Sequence, residues 1–261
     1  MRTLLDLDRY PLDQPESPAY AALVAACQRE LAQQGSFNLD GFVRADAIAR
    51  AAAEIVPLTA RAFTHQRAHN VYFKDRIEGL AADHPALTRF ETVHHTLCDD
   101  QIGHTIIHRI YEWDPLAGFL GQVMQQPGLC QMADPLARVN VIEYRPGETL
   151  NWHFDRSRYT TTLLIQAADA GGEFEYRSGL RADDDPNYEG VSRLLRGEDT
   201  AIRINALLAG TLNVFAGKNT LHRVSRVRGT RSRLVAVYSY YDRPGVMFSD
   251  EERRGFYGRS R

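Results

Sequence analysis

One short segment of the chain places two metal-ligand side chains side by side. Residues 151–155, NWHFD, follow the apolar run RVNVIEY and a turn at 145–147, RPG. Successive side chains of an extended strand point to opposite faces, so His153 and Asp155 share one face while Phe154 points to the other. The segment therefore offers an imidazole and a carboxylate to the same ion.

The spacing of this pair is weak evidence by itself. With 9 His and 33 acidic residues among 261, about one His-x-Asp or His-x-Glu is expected by chance, and one is present. Context strengthens the case, because His222 follows the strand-like run GTLNVFA, 69 residues after His153. Two imidazoles and one carboxylate form the facial triad that holds non-haem Fe(II) and leaves positions open for a co-substrate and oxygen. We expect His153, Asp155 and His222 to bind one iron ion.

The segments around these residues resemble the Fe(II)/2-oxoglutarate-dependent dioxygenases. EYRPGETLNWHFD is similar to that family's approach to its first two ligands, and GTLNVFAGKNTLHRVSRVRGTRSRLVAVYSY to its distal-histidine segment. The resemblance covers about residues 136–245 and implies a double-stranded β-helix that uses Fe(II), 2-oxoglutarate and O₂. The phrases HFDRS, TLLIQ, GGEFEY and LHRV are similar to a narrower branch of bacterial hydroxylases and radical halogenases that act on free amino acids.

The resemblance also implies an anchor for the far carboxylate of 2-oxoglutarate. Arginine suits this role because its guanidinium is planar, permanently charged and bidentate. In the family a basic residue follows the last ligand by about ten positions, and here Arg231 and Arg233 follow His222 by 9 and 11. We prefer Arg233 because the apolar strand follows it directly, and keep Arg231 as the alternative. Tyr144 is expected to add a hydroxyl to the same carboxylate.

Four further side chains are candidates for contacts with a substrate. Asn70 and Arg76 lie in HNVYFKDR, a polar and aromatic segment that is either a lid or an ordinary surface loop. Glu143 lies beside Tyr144, and Trp152 beside His153 either walls the substrate site or packs in the core. A zwitterionic substrate needs a cation for its carboxylate and acidic or carbonyl groups for its amine, since a desolvated charge without a partner is costly.

A second histidine-rich stretch lies before the iron-ligand segment. His94, His95, His104 and His108 fall within 85–112, which we predict to be helical. His104 and His108 form an i, i+4 pair that could bind zinc, but no third ligand follows at a suitable spacing. We expect polar or capping histidines here.

The elements that must position these residues change in type along the chain. Apolar residues at helical spacing predict helices over 17–34 and 45–63 and from Asp114 to about 127. After about Ala133, seven β-rich runs follow one another without intervening helices, apart from a polar insertion beginning near 183, which indicates antiparallel strands. These runs are RVNVIEY, TTTLLIQ, GEFEY, TAIRI, GTLNVFA, LHRV and RLVAVYSYY. We predict a mainly β protein, a jelly-roll or cupin-like barrel with packed N-terminal helices.

Composition limits the domain organisation and the partners. The chain has 44% hydrophobic and 25% charged residues, which are proportions typical of a folded globular protein. Its formal charge of −2 provides no excess of positive charge for binding nucleic acid or an anionic membrane. Its three cysteines form no CxxC pair, and Asp6 and Asp8 interrupt the apolar core that a signal peptide would need. We expect one cytoplasmic domain over 1–261, with a mainly helical region over 1–135, a barrel core over 136–245 and a C-terminal extension over 246–261.

Together these features predict an oxidoreductase, a 2-oxoglutarate-dependent dioxygenase that hydroxylates an unactivated C–H bond of a small molecule. A free amino acid is the expected substrate. The alternatives are an oxygenase for a carrier-bound or other natural-product substrate, and a metal-binding or sensing cupin without turnover. Release of succinate would distinguish an enzyme from a sensor. The sequence specifies no oligomeric state.

Overall fold

Two antiparallel sheets pack against each other in the computed structural model, which describes residues 1–261. In spatial order the larger sheet consists of β1 (Ser36–Leu39), β10 (Leu212–Phe215), β7 (Thr160–Gln166), β12 (Arg233–Tyr238), β5 (Val139–Tyr144), β3 (Phe90–Leu97) and β2 (Phe63–His69). The smaller sheet consists of β6 (Leu150–His153), β11 (Leu221–Val224), β8 (Phe174–Arg177) and β9 (Arg203–Asn205). A short pair joins β4 (Cys130–Gln131) to β13 (Tyr240–Tyr241). All seven predicted β-rich runs contain strands, and the expected mainly β, antiparallel class is confirmed.

Helices surround the sheets. They are α1 (Pro18–Gln34), α2 (Ala45–Ile55), α3 (Asp99–Ile102), α4 (Ile106–Tyr111), α5 (Asp114–Val123), α6 (Tyr188–Leu195) and α7 (Asp250–Tyr257), with 3₁₀ turns at Val56–Arg61 and Pro85–Leu87. The predicted first helix is confirmed: the Ser17 hydroxyl accepts a hydrogen bond from the Tyr20 amide, and Gly35 ends the helix with a φ of 73°. The second predicted helix is shorter than expected, because the chain tightens into a 3₁₀ turn at Val56 and Pro57. No helix has the length and apolar character needed to cross a lipid bilayer.

The main hydrophobic core lies between the helices and one face of the larger sheet. Leu163, Leu212 and Leu234 of the sheet share a cluster of 37 buried residues with Tyr111 and Phe119 of the helices. Burying each such side chain contributes about 1.5–3 kcal/mol of hydrophobic free energy, so packing against the helices stabilises the sheet. The other face of the sheet packs on the smaller sheet.

Residues 90–97 correct the prediction of a helix over 85–112. FETVHHTL forms strand β3, which pairs with β2 on one side and with β5 on the other. Pairing with two neighbours decides between helix and strand in this histidine-rich run, whose own pattern is ambiguous. The N-terminal region, although it contains most of the helices, therefore adds β1, β2 and β3 to the larger sheet, and His94 and His95 lie on a strand.

Helix α7 ties the C-terminal extension back to the larger sheet. A capping box between Ser249 and Glu252 begins the helix. The Arg253 Nε donates a 2.8 Å hydrogen bond to the fully buried carboxylate of Asp134, and the Tyr257 hydroxyl donates to Asn140. These contacts attach the extension to the segment that leads into β5 and to β5 itself.

Candidate metal and co-substrate site

Three side chains predicted as iron ligands converge between the ends of β6 and β11. The antiparallel register places His222 directly opposite His153, with ring centroids 4.2 Å apart. Asp155, two residues beyond His153, brings its Oδ1 to 3.4 Å from His153 Nε2 and 3.5 Å from His222 Nε2. One ligand atom from each residue lies within 4.8 Å of the others. This is the arrangement expected of a facial triad.

Backbone hydrogen bonds fix both imidazoles for metal binding. The Nδ1 of His153 lies 2.8 Å from the carbonyl of Asn151, and the Nδ1 of His222 lies 2.9 Å from the carbonyl of Thr220. Each Nδ1–H donates to its carbonyl, which leaves the Nε2 lone pair free and directed at the carboxylate of Asp155. The two rings therefore have the tautomer that a divalent metal requires.

The carboxylate of Asp155 is held from its far side. The Thr160 hydroxyl donates to Oδ2 at 2.5 Å, and the Asp155 amide donates to the carbonyl of Gly217 at 3.1 Å. A Cβ at Gly217 would lie 2.5 Å from both Asp155 Oδ2 and Thr160 Oγ1, so only glycine fits here. Nothing in the sequence pattern alone identified Thr160 or Gly217, because their contacts depend on strands distant in sequence.

The electrostatics of the triad favour a bound cation. Burial alone would raise the pKa of the Asp155 carboxyl, but attraction to the imidazoles of His222 and His153 in their protonated form holds that pKa well below its ordinary value. Burial lowers the pKa of His153, and the neighbouring His222 lowers it further. The site thus presents an ionised carboxylate and an imidazole that stays neutral, the forms in which these groups bind metals. This donor set fits Fe(II).

The two candidate arginines differ sharply in their surroundings. Arg233 begins β12 directly opposite Tyr144, its guanidinium carbon lies 5.9 Å from the tyrosine ring, and only 4% of the residue is exposed. Its buried Nη1 has no hydrogen-bond partner, and no carboxylate lies within 4.0 Å of the guanidinium. Arg231 is exposed, and its Nε already faces the Asp169 carboxylate at 3.5 Å. A buried cation without an anion is costly, so Arg233 is suited to bind a carboxylate.

A cavity adjoins this arginine. It has a volume of about 170 Å³ and is lined by Arg233, Leu164 and Phe174, among others. Gly172 (φ 70°) leaves room for the arginine, since a Cβ there would lie 3.0 Å from Arg233 Cδ. Burial raises the pKa of the neighbouring Tyr144 hydroxyl, so this group remains a neutral hydrogen-bond donor.

Two of the predicted substrate residues are not brought to the site. Glu143 is paired with Leu234 on the helix-facing side of the larger sheet, opposite to Tyr144, and its carboxylate accepts a 3.0 Å hydrogen bond from Arg145 Nε. Trp152 packs in a cluster on the outer side of β6, where the Arg223 guanidinium covers its ring at 4.7 Å. Glu143 is thus a correction, and Trp152 follows the packing alternative; both placements have the same cause, since adjacent residues of a strand point to opposite faces.

The predicted lid segment lies beside the triad, but Asn70 faces its own loop. Its Oδ1 accepts hydrogen bonds from the amides of Tyr72 and Lys74, and its Nδ2 donates to the carbonyl of Lys74. Asn70 therefore shapes the loop rather than offering free atoms to a ligand. Arg76 is exposed and forms no hydrogen bond or ion pair.

Sequence reasoning missed two aromatic neighbours of the iron ligands. Phe73 has a φ of 54°, unusual for an aromatic residue, and its ring stacks on His69 at 4.6 Å. Both rings approach His153 edge-on, at 5.9 Å for Phe73 and 6.3 Å for His69. The composition of HNVYFKDR indicates a candidate lid, but no pattern within it distinguishes these two residues.

Comparisons with known proteins agree with this geometry. A family model described as Halogenase D (HalD) matches residues 20–247. None of the curated protein sequences compared with the chain is significantly similar to it. Solved structures with the same fold include 2-oxoglutarate and iron oxygenases at low sequence identity.

Three of these structures illustrate the similarity. A prolyl-4-hydroxylase from Pseudomonas putida is 18% identical, with a TM-score of 0.51 over 84% of this chain and 99% of its own. The epimerase SnoN, solved with Fe³⁺, α-ketoglutarate and nogalamycin RO, is 17% identical, with a TM-score of 0.57 over 85% and 84%. HygX from Streptomyces hygroscopicus, solved with nickel and 2-oxoglutarate, is 14% identical, with a TM-score of 0.51 over 82% and 85%. The predicted resemblance is confirmed, and the iron and α-ketoglutarate bound to SnoN and the 2-oxoglutarate bound to HygX agree with the cofactors expected from it.

Proposed function

Since the chain belongs to the halogenase D family, we propose that it is an Fe(II)- and 2-oxoglutarate-dependent oxygenase that hydroxylates an unactivated C–H bond of a free amino acid. The fold shared with 2-oxoglutarate and iron oxygenases supports the general reaction class. The proposal assigns iron binding to His153, Asp155 and His222, and the co-substrate carboxylate to Arg233 and Tyr144.

The proposal of hydroxylation rather than chlorination rests on the presence of a carboxylate at Asp155. The resemblance implies that the related halogenases carry a small residue at this position, where a halide must bind. Here the Oδ1 of a carboxylate lies between the two Nε2 atoms, and the Thr160 hydroxyl and Gly217 hold that carboxylate in place. The third protein position is thus already filled by an anion. We expect hydroxyl transfer rather than chlorination, although the family model is described as a halogenase.

The residues of the site have separate roles in the proposed reaction. When bound, iron and 2-oxoglutarate together with O₂ supply the oxidising chemistry, and the protein supplies position and environment. His153 and His222 hold the metal through Nε2, and Asp155 balances its charge. Arg233 fixes the far carboxylate of 2-oxoglutarate and Tyr144 donates a hydrogen bond to it.

The amino-acid substrate is supported by the resemblance and by the charge of the chain. A net charge of −2 gives no steering towards a polyanion. A second candidate is a carrier-bound or other natural-product substrate, which is favoured by the similarity to SnoN and to the carbocyclase SnoK of nogalamycin biosynthesis.

A substrate panel tests the proposal. The iron-loaded protein is incubated with 2-oxoglutarate, O₂ and each free amino acid, including ornithine and citrulline, and succinate and product mass are measured. We expect succinate formation that depends on one amino acid and a product heavier by one oxygen atom. Turnover on a carrier-bound acyl group or a polycyclic compound, with no response to the panel, would contradict the amino-acid substrate and leave the oxygenase assignment intact. Absence of 2-oxoglutarate consumption under every condition would favour the sensing cupin.

A further inference from the structure

A row of rings crosses the larger sheet from the expected 2-oxoglutarate anchor to the open edge at β2. His65 of β2 lies directly opposite His94 of β3, and their rings stack at 4.8 Å with an angle of 17° between planes. The ring of His94 lies 6.0 Å from that of Tyr144, which pairs with Arg233. The two imidazoles thus lie on the face of the larger sheet that is turned away from the main helices, beside the expected co-substrate site.

An unpaired cation lies next to this row. Arg67 follows His65 by two residues on β2 and therefore shares its face, as does His69, which touches His153. The guanidinium carbon of Arg67 lies 5.5 Å from the centroid of Phe73, and the ring of Phe73 lies 5.9 Å from that of His153. Arg67 is exposed and forms no hydrogen bond or ion pair. Only one phenyl ring separates this free cation from a predicted iron ligand.

The two histidines also lack partners. The Nδ1 atoms of His65 and His94 are buried and form no hydrogen bond. Burial lowers the pKa of both imidazoles, in the case of His94 to about 3, so each ring keeps one N–H donor and one acceptor nitrogen. Most buried polar groups in folded proteins are hydrogen-bonded, so an unpaired cluster of this kind beside a metal site points to a ligand.

Arg181, whose Nη2 donates to the backbone carbonyl of Asp155 at 3.4 Å, is engaged by its surroundings. The Nε of Arg181 donates to the carbonyl of Lys218 at 2.6 Å, and its guanidinium carbon lies 4.0 Å from the centroid of Phe154. Phe154 faces away from the metal-binding side of β6. Arg67 is therefore better placed than Arg181 to receive an anion.

We propose that the face of β2 and β3 that carries His65, Arg67 and His94 is the substrate-recognition wall. In this wall Arg67 binds the substrate carboxylate, and His65 and His94 form hydrogen bonds with the other polar groups of the substrate. This inference rests on the proposed function and adds the residues that select the substrate. The ring of Phe73 lies between the bound carboxylate and His153, so the carbon atoms beyond the carboxylate extend past this ring towards the metal.

Equilibrium binding under nitrogen tests this wall without turnover. The protein loaded with Fe(II) and 2-oxoglutarate is titrated calorimetrically with each free amino acid and with the corresponding carboxamide. We expect an amino acid to bind and its carboxamide to bind at least about tenfold more weakly, because a charged hydrogen-bond pair is lost. Arg67→Gln should weaken binding of the acid about 10- to 100-fold and leave binding of the carboxamide unchanged.

Three variants complete the design. Arg67→Lys keeps the charge and should restore some of the affinity, whereas Arg61→Gln removes an exposed arginine outside the wall and should change nothing. His94→Leu should weaken the acid and its carboxamide alike, and its melting temperature and 2-oxoglutarate affinity show whether it folds.

The outcomes separate the two proposals. Binding of an amino acid that is equally tight in Arg67→Gln overturns the wall and leaves the proposed function standing. If no amino acid binds while 2-oxoglutarate binds normally, both the amino-acid substrate and the wall are wrong, and the oxygenase chemistry is untouched. Loss of 2-oxoglutarate binding in Arg67→Gln would also overturn the wall, because Arg67 would then serve the co-substrate.

Discussion

Replacement of Arg233 by glutamine should abolish tight binding of 2-oxoglutarate. The residue is 4% exposed, its Nη1 has no partner, and no carboxylate lies within ion-pair distance. Breaking a buried ion pair by removing one partner costs about 3–5 kcal/mol. The dissociation constant should therefore rise by about two to four powers of ten.

Two other substitutions calibrate this effect. Tyr144→Phe removes one neutral hydrogen bond, worth about 0.5–1.5 kcal/mol, and should weaken 2-oxoglutarate about 2- to 12-fold. Arg231→Gln breaks only an exposed pair with Asp169, whose side chains are 53% and 42% exposed, and such pairs contribute about 0–1 kcal/mol to stability. Its affinity for 2-oxoglutarate should be that of the unmodified protein.

Calorimetric titration of the Fe(II) protein with 2-oxoglutarate under nitrogen measures these affinities without a substrate. The melting temperature of the protein without ligands provides a second check. Arg233→Gln should melt no lower than the unmodified protein, because the replaced charge is buried without an anionic partner. Equal and small losses of affinity in Arg231→Gln and Arg233→Gln would show that the anchor lies elsewhere and would refute this reasoning.

Three further predictions concern the triad and the neighbouring strands β2 and β3. Asp155→Gly removes the carboxylate and should allow chlorinated product in chloride buffer, detected by mass, whereas a chlorinated product from the unmodified protein would overturn the assignment of hydroxylation. Gly217→Ala drives a Cβ to 2.5 Å from Asp155 Oδ2 and should weaken Fe(II) about 10- to 100-fold, with Gly118→Ala, where nothing lies within 4 Å, as the unaffected control. Burial lowers the pKa of His94 to about 3, so between pH 3 and about 6.5 this imidazole is protonated only in the unfolded chain. The free energy of unfolding should therefore decrease as the pH is lowered through that window, by up to about 1.4 kcal/mol per pH unit. Denaturant unfolding at pH 5 and 7 should show a smaller difference for His94→Leu than for the unmodified protein, and the same difference for the exposed control His104→Gln.

Local patterns predicted the strands of the seven β-rich runs and the pairing of His153 with Asp155, because alternation and ligand chemistry are short-range properties, whereas His222 was assigned from the strand-like run that precedes it. The shared face of His153 and Asp155 follows from a spacing of two residues. The choice between Arg231 and Arg233 could not be made in this way, because both have the same strand parity. It required the burial of Arg233 and its register with Tyr144.

The errors and omissions have equally specific causes. Glu143 and Trp152 are adjacent in sequence to functional residues, but adjacency in a strand means the opposite face. Residues 90–97 are histidine-rich without a clear period, and their pairing with β2 and β5 is a long-range property. The contacts of Phe73, His69 and Gly217 with the triad depend on the tertiary fold in the same way.

Fe(II) retention by His222→Ala tests the central assignment most directly. The anaerobically reconstituted protein is passed over a desalting column, and bound iron and 2-oxoglutarate-dependent succinate are then measured. The unmodified protein should retain one Fe(II) per chain, whereas His222→Ala should retain none at micromolar metal and form no succinate, because only two protein ligands remain. A full equivalent of Fe(II) and normal turnover in His222→Ala would contradict the assignment of the triad.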